Sequence, residues 1–465
     1  MEGTSLIQML KKTVKGLKPK LLLIILVGFS IRFAVAPFTE HRYDMHIWRV
    51  NQALVYEYHT NPFFPPPGTN ATAYVLFWSY TPFWLFTLLP LYPIYASIAH
   101  PVYDPDPQEL WQNGLDVNSI SESYHSFIPS NLPLLTTLIK LPIIMSDLLI
   151  ALLVFKIVEE LAGEKKAYYA SLIWLLNPYV IWISSIWGMF DSIPTLFTVL
   201  AFYFFVKAKY EKSAVSLAVA TLFKIYPIML APVLALTYYK QKRSATASFR
   251  YCAICGGTVL LVSFLSYFGF ALAFGQEPFS NAATLLLQLF RGRASPDWYG
   301  KNLFFGLTPL GILGTVFDQL HLDLNIPVVP LLIILATVVL LAMIARKKEF
   351  ATSDVLSYVI LTHLAIYLTY SVVNEQYLIW ILPFLLVMAA IQKKPFMEYF
   401  YWGVSILAML YIVYHYANLT YFVSPYFIPR PEEHGLYIPL ETAAISLGLA
   451  LFYIVGMKIA LRRES

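Results

Sequence analysis

Asp44 sits in the stretch Thr39-Glu40-His41-Arg42-Tyr43-Asp44-Met45-His46-Ile47-Trp48, directly after the first long apolar run of the chain. A carboxylate among histidines and arginines, held where bilayer meets water, is costly to place and useful as a base. Other ionisable residues recur in apolar surroundings. Lys140 and Asp147 lie seven residues apart, two helical turns, and so share one helix face. Asp191 follows Trp187-Gly188-Met189-Phe190, and Lys224 opens Lys224-Ile225-Tyr226-Pro227. Glu375 and Gln376 occupy Asn374-Glu375-Gln376, while Arg291, Arg293 and Lys301 cluster in a polar stretch. A base of this kind takes a proton from an acceptor hydroxyl. Cations of this kind hold a departing phosphate.

The elements that must position these residues are membrane helices. The chain has 465 residues, 58% of them hydrophobic and 13% charged, and its mean hydropathy is +0.63. A soluble domain carries nearly twice that charge fraction. No charge occurs from Tyr251 to Gly275 or from Ile326 to Ala345, and each run is long enough to cross about 30 Å of hydrocarbon. The fold class is therefore an all-α polytopic membrane protein of about ten to fourteen helices. The formal charge of +5 reads as topology, because Lys and Arg collect in cytoplasmic loops. No nucleic-acid partner is expected.

Apolar runs predict spans at 21–38, 132–158, 167–183, 193–206, 251–275, 326–345, 355–373, 377–392, 399–423 and 440–460. Lys11 to Lys20 precede the first, which reads as a signal anchor with its N-terminus inside. Every strongly basic loop then falls inside. Two segments break the pattern. Residues 213–239 carry lysines at both ends and Lys224 and Pro227 at the centre, which predicts two short helices turning at Lys224. Residues 74–99 are interrupted by Pro82, Pro90 and Pro93. Polar outer loops are expected at 39–73, 100–131 and 276–301. The organisation is a cytoplasmic segment 1–20, a catalytic module 21–275 and a C-terminal helical module 276–465. Asp44, His46, Lys140, Asp191, Lys224 and Glu375-Gln376 then converge on the outer surface.

Each residue also has a plainer reading. Lys140 and Asp147 could form a helix-linking ion pair, Asp191 could cap the helix that follows it, and Lys224 could snorkel to the interface. Glu375 and Gln376 could only complete a turn. His363 and His415 read as packing residues. Cys252 and Cys255 form a C-x-x-C inside an apolar helix and read as small hydrophobes.

No P-loop, dinucleotide fingerprint, H-E-x-x-H or G-x-S-x-G occurs, so activation must arrive with the substrate. A sugar carried on a polyprenyl phosphate meets that need outside a membrane, where nucleotide sugars are scarce. The rival readings are a secondary transporter relaying through Lys140 and Asp147 and a lipid-linked sugar flippase; no internal repeat supports the former.

The motif order carries a resemblance. Asp44 with Ile47-Trp48 leads, then Asn61-Pro62-Phe63, Tyr80-Thr81-Pro82, and Lys140 with Ser146-Asp147-Leu148-Leu149. Leu176-Asn177-Pro178, Ser184-Ser185, Asp191-Ser192-Ile193, Lys224-Ile225-Tyr226-Pro227 and Glu375-Gln376-Tyr377-Leu378-Ile379-Trp380 follow. Together they resemble the multi-pass glycosyltransferases of the GT-C fold, most closely the catalytic subunit family of GPI mannosyltransferase I and its prokaryotic relatives. The resemblance implies an inverting transferase that moves mannose from polyprenyl-phosphate mannose to a glycan or glycolipid acceptor. It implies Asp44 as base, with Arg42, His46, Lys140, Asp147, Asp191, Lys224, Arg293, Lys301, Glu375 and Gln376 around the substrates. It also leaves room for an accessory subunit. The family usually shows Asp-x-Asp where this chain has Arg42-Tyr43-Asp44, so a divalent cation held by both acids is not expected. A prokaryotic cell membrane is favoured over the endoplasmic reticulum as location.

Overall fold

The computed structural model describes residues 18–57, 59–64, 78, 80–99, 131–291, 305–306, 328–347, 350–370, 372–392, 396–416, 419–425 and 439–460. Helix α1 (Pro19–Val35) starts on a proline, whose missing N–H costs nothing in a first turn, and tightens into a 3-10 turn at Ala36–Phe38. Helix α2 (Arg42–Tyr56) follows, within the region 39–73 expected to be a polar outer loop. Helices α3 (Pro82–Leu88) and α4 (Leu91–Ala99) are separated at Pro90, as expected. Helix α5 (Leu132–Ala162) is continuous and ends at Gly163, whose φ of +91° suits glycine.

The span predicted over 167–183 is broken. Helix α6 (Glu164–Leu176) meets α7 (Pro178–Ile181) at a 48° bend, and a π-helical turn (Trp182–Trp187) completes it. The cause is Asn177-Pro178. Proline cannot continue the ladder, and the Asn177 side-chain Oδ1 accepts from the Tyr179 N–H at 2.9 Å. Helix α8 (Ser192–Val206) comes next.

The pair predicted to turn at Lys224 is present. Helix α9 (Tyr210–Phe223) ends there, a 3-10 turn (Tyr226–Met229) follows, and α10 (Leu230–Lys242) returns. Tyr210 at the start of α9 stacks on Tyr238 near the end of α10, with centroids 3.8 Å apart, and donates to Gln241 at 3.1 Å. Both lysine-flanked ends therefore meet at one end of the molecule, with Lys224 at the apex.

Helix α11 (Ala245–Ala273) carries both cysteines as free thiols. Helix α12 (Pro278–Arg291) occupies part of the predicted outer loop 276–301. Helices α13 (Val328–Arg346), α14 (Thr352–Thr369), α15 (Leu382–Ile391), α16 (Phe396–Tyr416) and α17 (Pro439–Ala460) complete the bundle. A 3-10 turn (Glu375–Trp380) leads into α15. Strand β1 (Phe305–Gly306) pairs in parallel with β2 (Val372–Val373).

Among the described residues five helices are long and apolar enough to span a bilayer, or six if the bent α6–α7 unit is one span. Shorter apolar helices include Ser192–Val206, Leu331–Arg346 and Ile445–Lys458. Leu261, Leu272, Ile334 and Leu335 are each more than half exposed, which suits a lipid surface and not water. The chain is an all-α polytopic membrane protein.

The bundle has two chemically distinct ends. At one, Lys18 pairs with Glu159 and Glu164, Lys207 pairs with Glu160, and the Lys166 ammonium donates to Ala390 O. At the other, Thr39 forms an antiparallel bridge with Val423, and Asn61 donates to Gln276 at 2.7 Å. These are the ends that the alternation of basic loops separates. The exposed pairs mark the first end but add little stability.

Candidate active site

Asp44 lies in the first turn of α2, where an anion suits the helix dipole. It is 7% exposed. Its Oδ2 accepts from the Trp187 indole N–H at 2.7 Å and lies 2.9 Å from His41 Nδ1. The Asp44 amide also points at His41 Nδ1, at 3.3 Å. One nitrogen cannot donate to the first and accept from the second. The shorter contact makes Nδ1–H the donor to Oδ2, and Nε2 lies 3.1 Å from the Tyr416 hydroxyl. Burial alone would raise the Asp44 carboxyl. The His41 and Trp187 contacts and the nearby charge of Lys224 outweigh it and hold the carboxyl below its ordinary value.

The backbone around Asp44 is tied down on both sides. Glu40 N–H donates to Phe422 O and His41 N–H to Trp187 O, both at 2.8 Å. Glu40 accepts both guanidinium arms of Arg49, at 2.7 and 3.0 Å, and the Thr136 hydroxyl at 2.9 Å. This buried bidentate pair locks the first two turns of α2 to α5.

A second cluster lies close by. The Lys224 ammonium contacts both Asp191 oxygens, at 2.8 and 2.9 Å, and the Trp380 indole N–H donates to Asp191 Oδ1 at 2.6 Å. The ammonium also lies 4.4 Å from the Tyr377 ring centroid. Tyr226 stacks on Trp380 at 3.5 Å, with the rings 3° from parallel. Asp191 thus spends its carboxylate on Lys224 and makes no side-chain cap on α8.

Glu375, in the turn ahead of α15, is buried, and the Tyr179 hydroxyl donates to its backbone carbonyl at 2.5 Å. Burial first, and the charge of Asp44 after it, push the Glu375 carboxyl up to about 7. Its Oε1 lies 3.9 Å from His415 Nε2 and, like Gln376 Oε1, has no hydrogen-bond partner among the described residues. His415, expected to be a packing residue, therefore faces the site. Asp44, Lys224, Asp191 and Glu375 lie near one another, all four buried.

The other candidates divide. Lys140 does not pair with Asp147. Its ammonium serves the backbone carbonyls of Ala36, Thr39, Ser185 and Ile186. Gly188, at φ +86°, makes room for it, since a Cβ there would meet Lys140 Cε at 2.8 Å. Asp147 instead binds Arg32, Nε to Oδ2 at 2.8 Å, and accepts from Ser192 at 2.6 Å. Arg42 donates to Tyr421 O and Val423 O at 3.2 and 3.0 Å. His46 lies two residues past Asp44 and so faces away from it. Burial and the Arg49 charge lower it to about 3, so it is neutral. Arg293 and Lys301 lie outside the described residues.

Sequence reading missed His41, Trp187, Arg32 and the Glu40–Arg49 pair. A lone arginine in one apolar run and a lone aspartate in another was the available signal for Arg32. The donor set does not fit a divalent cation. Among the described residues no group of three His, Cys, Asp or Glu side chains is arranged to hold one metal ion. Asp44 Oδ2 already takes two N–H groups, and Asp191 is neutralised by Lys224.

The chain is 28% identical over 261 residues to "GPI mannosyltransferase 1" of Candida albicans, covering 53% of this chain and 61% of that protein. The chain is similar to GPI mannosyltransferase 1. The namesake from Saccharomyces cerevisiae is 30% identical over 105 residues, 23% of this chain and 26% of that one. The chain thus spans less than two thirds of either relative. Both are fungal, which lends no support to the prokaryotic cell membrane favoured from sequence. The family described as "GPI transamidase subunit PIG-U" matches residues 117–290. That match takes in Lys140, Asp147, Asp191 and Lys224 but neither Asp44 nor Glu375.

Proposed function

We propose that the chain is a membrane mannosyltransferase that uses a polyprenyl-phosphate mannose donor and a glycolipid acceptor, with Asp44 as its base. The observation that carries this is the state of Asp44. It is kept ionised, one oxygen is held by two donors, and no hydrogen bond to the other occurs among the described residues. In this reading the acceptor hydroxyl gives its proton to Oδ1, its oxygen attacks the anomeric carbon, and the sugar–phosphate bond breaks with inversion. The electron pair leaves on the polyprenyl phosphate, near Lys224. An apolar cleft of about 290 Å³ between Asn177, Tyr179, Trp402 and Met409 suits an isoprenoid chain beside Tyr179. We place the site on the extracytoplasmic face, and the endoplasmic reticulum fits the fungal relatives better than a prokaryotic cell membrane.

The PIG-U match supports a second reading, a glycolipid-binding subunit without transfer. Purified protein offered several polyprenyl-phosphate sugars separates the two. Transfer from the mannosyl donor, reduced about 10²–10⁴-fold in Asp44→Asn, is expected. Equal turnover by that variant would remove Asp44 as base, and no transfer by the native chain would favour the subunit.

A further inference from the structure

The base of this site has a partner that the motif leaves out. His41 is the residue before α2, and its ring is fixed on three sides. It stacks on Trp187 with centroids 4.3 Å apart and planes 12° from parallel. Tyr416 and Tyr421 meet it edge-on at 5.6 and 5.2 Å. Its Nε2 is 3.1 Å from the Tyr416 hydroxyl and its Nδ1 is 2.9 Å from Asp44 Oδ2. The Trp187 indole N–H reaches the same Oδ2 at 2.7 Å. Two donors on one oxygen fix the plane of the carboxylate as well as its position.

We propose that His41 is a positioning residue for the transfer: with Trp187 it holds Asp44 Oδ2, so that Oδ1 alone takes the acceptor's proton. This rests on Asp44 being the base. In the step the acceptor O–H proton moves to Oδ1, the new carbon–oxygen bond forms at the anomeric carbon, and the sugar–phosphate bond breaks with its electron pair going to the departing polyprenyl phosphate. His41 keeps its proton throughout, and Asp44 then releases the acquired proton to water. The donors also set the acidity of the base. The other titratable groups facing it are Lys224 at the end of α9, Asp191 ahead of α8, Glu375 in the turn before α15, and His415 and Tyr416 at the end of α16. None of these hydrogen-bonds Asp44 among the described residues.

The test uses full-length protein in detergent with polyprenyl-phosphate mannose. His41→Ala should lower kcat about tenfold to a hundredfold, the rate equivalent of one charge-assisted hydrogen bond, with KM for the lipid unchanged. Losing a donor to the carboxylate raises its pKa, so the acidic limb of the kcat–pH profile should move upward. His41→Asn puts an amide N–H where Nδ1 was and should restore most of the rate; His41→Gln, which mimics Nε2, should not. Trp187→Phe keeps a stacking ring but removes the second donor, and should move the limb in the same direction even if His41→Ala does not fold. An unmoved limb and native kcat in His41→Ala, or an unmoved limb in Trp187→Phe, with Asp44→Asn inactive, would overturn the positioning role and leave Asp44 as base. Full activity in Asp44→Asn would overturn both.

Discussion

Removing one partner of the Arg32–Asp147 pair is expected to cost about 3–5 kcal/mol of stability. Both side chains are fully buried, and Nε lies 2.8 Å from Oδ2. Arg32 Nη1 also donates to Leu175 O at 2.7 Å and Gly28 O at 3.2 Å, and Ser192 donates to Asp147 Oδ1. Helices α1, α5, α6 and α8 therefore meet at one charge pair. At 2.8 Å and an effective dielectric of ~20 the attraction is about 6 kcal/mol, opposed by desolvation of both ions. Asp147→Asn keeps the shape and strands the guanidinium; Arg32→Met strands the carboxylate. The double variant Arg32→Met/Asp147→Leu strands nothing and should return to native stability or exceed it. Thermal unfolding in detergent, read by fluorescence and size exclusion, measures all four proteins. A double variant no better than the worse single, or Asp147→Asn as stable as the native chain, would refute the pairing argument. A stable double variant without transfer would make Asp147 part of the substrate site.

Gly188→Ala should lower both yield and transfer, because alanine is strained at φ +86° and its Cβ would press on the Lys140 stem; wild-type Tm and rate would reject that reading. Lys224→Met should move the acidic limb of the pH profile upward, since the Lys224 charge helps to lower Asp44. Asp191→Asn leaves that charge uncompensated, and the limb should move downward. Equal or absent shifts in the two profiles would show that Lys224 does not act on the base.

Much of the spanning architecture was legible because uncharged runs and basic loops are one-dimensional signals. The turn at Lys224 was legible for the same reason, with Pro227 to break the ladder. Helix α2 was not. Its first turns bury Arg42, His46 and Arg49, and residues so polar read as loop when only composition is weighed. Of the partners that make such burial tolerable, Glu40 sits just ahead of the helix, but Thr136 and the carbonyls of Tyr421 and Val423 come from distant segments. The Asp44–Lys224–Glu375 assembly was legible as types on one surface. That Asp191 would neutralise Lys224, and that His41 would hold Asp44, required coordinates. The bend at Asn177-Pro178 was present in the sequence as a breaker inside an apolar run.

Lys224 hangs at the apex of two helical legs, Tyr210–Phe223 and Leu230–Lys242, which start and finish at the same end of the bundle. Its depth is therefore metered by leg length. Deleting a single residue from α9 would retract the tip by about 1.5 Å and swivel it by about 100°, pulling the ammonium off Asp191 and out from over Tyr377. Indels, which loops usually absorb, would be as damaging here as replacement of the lysine itself.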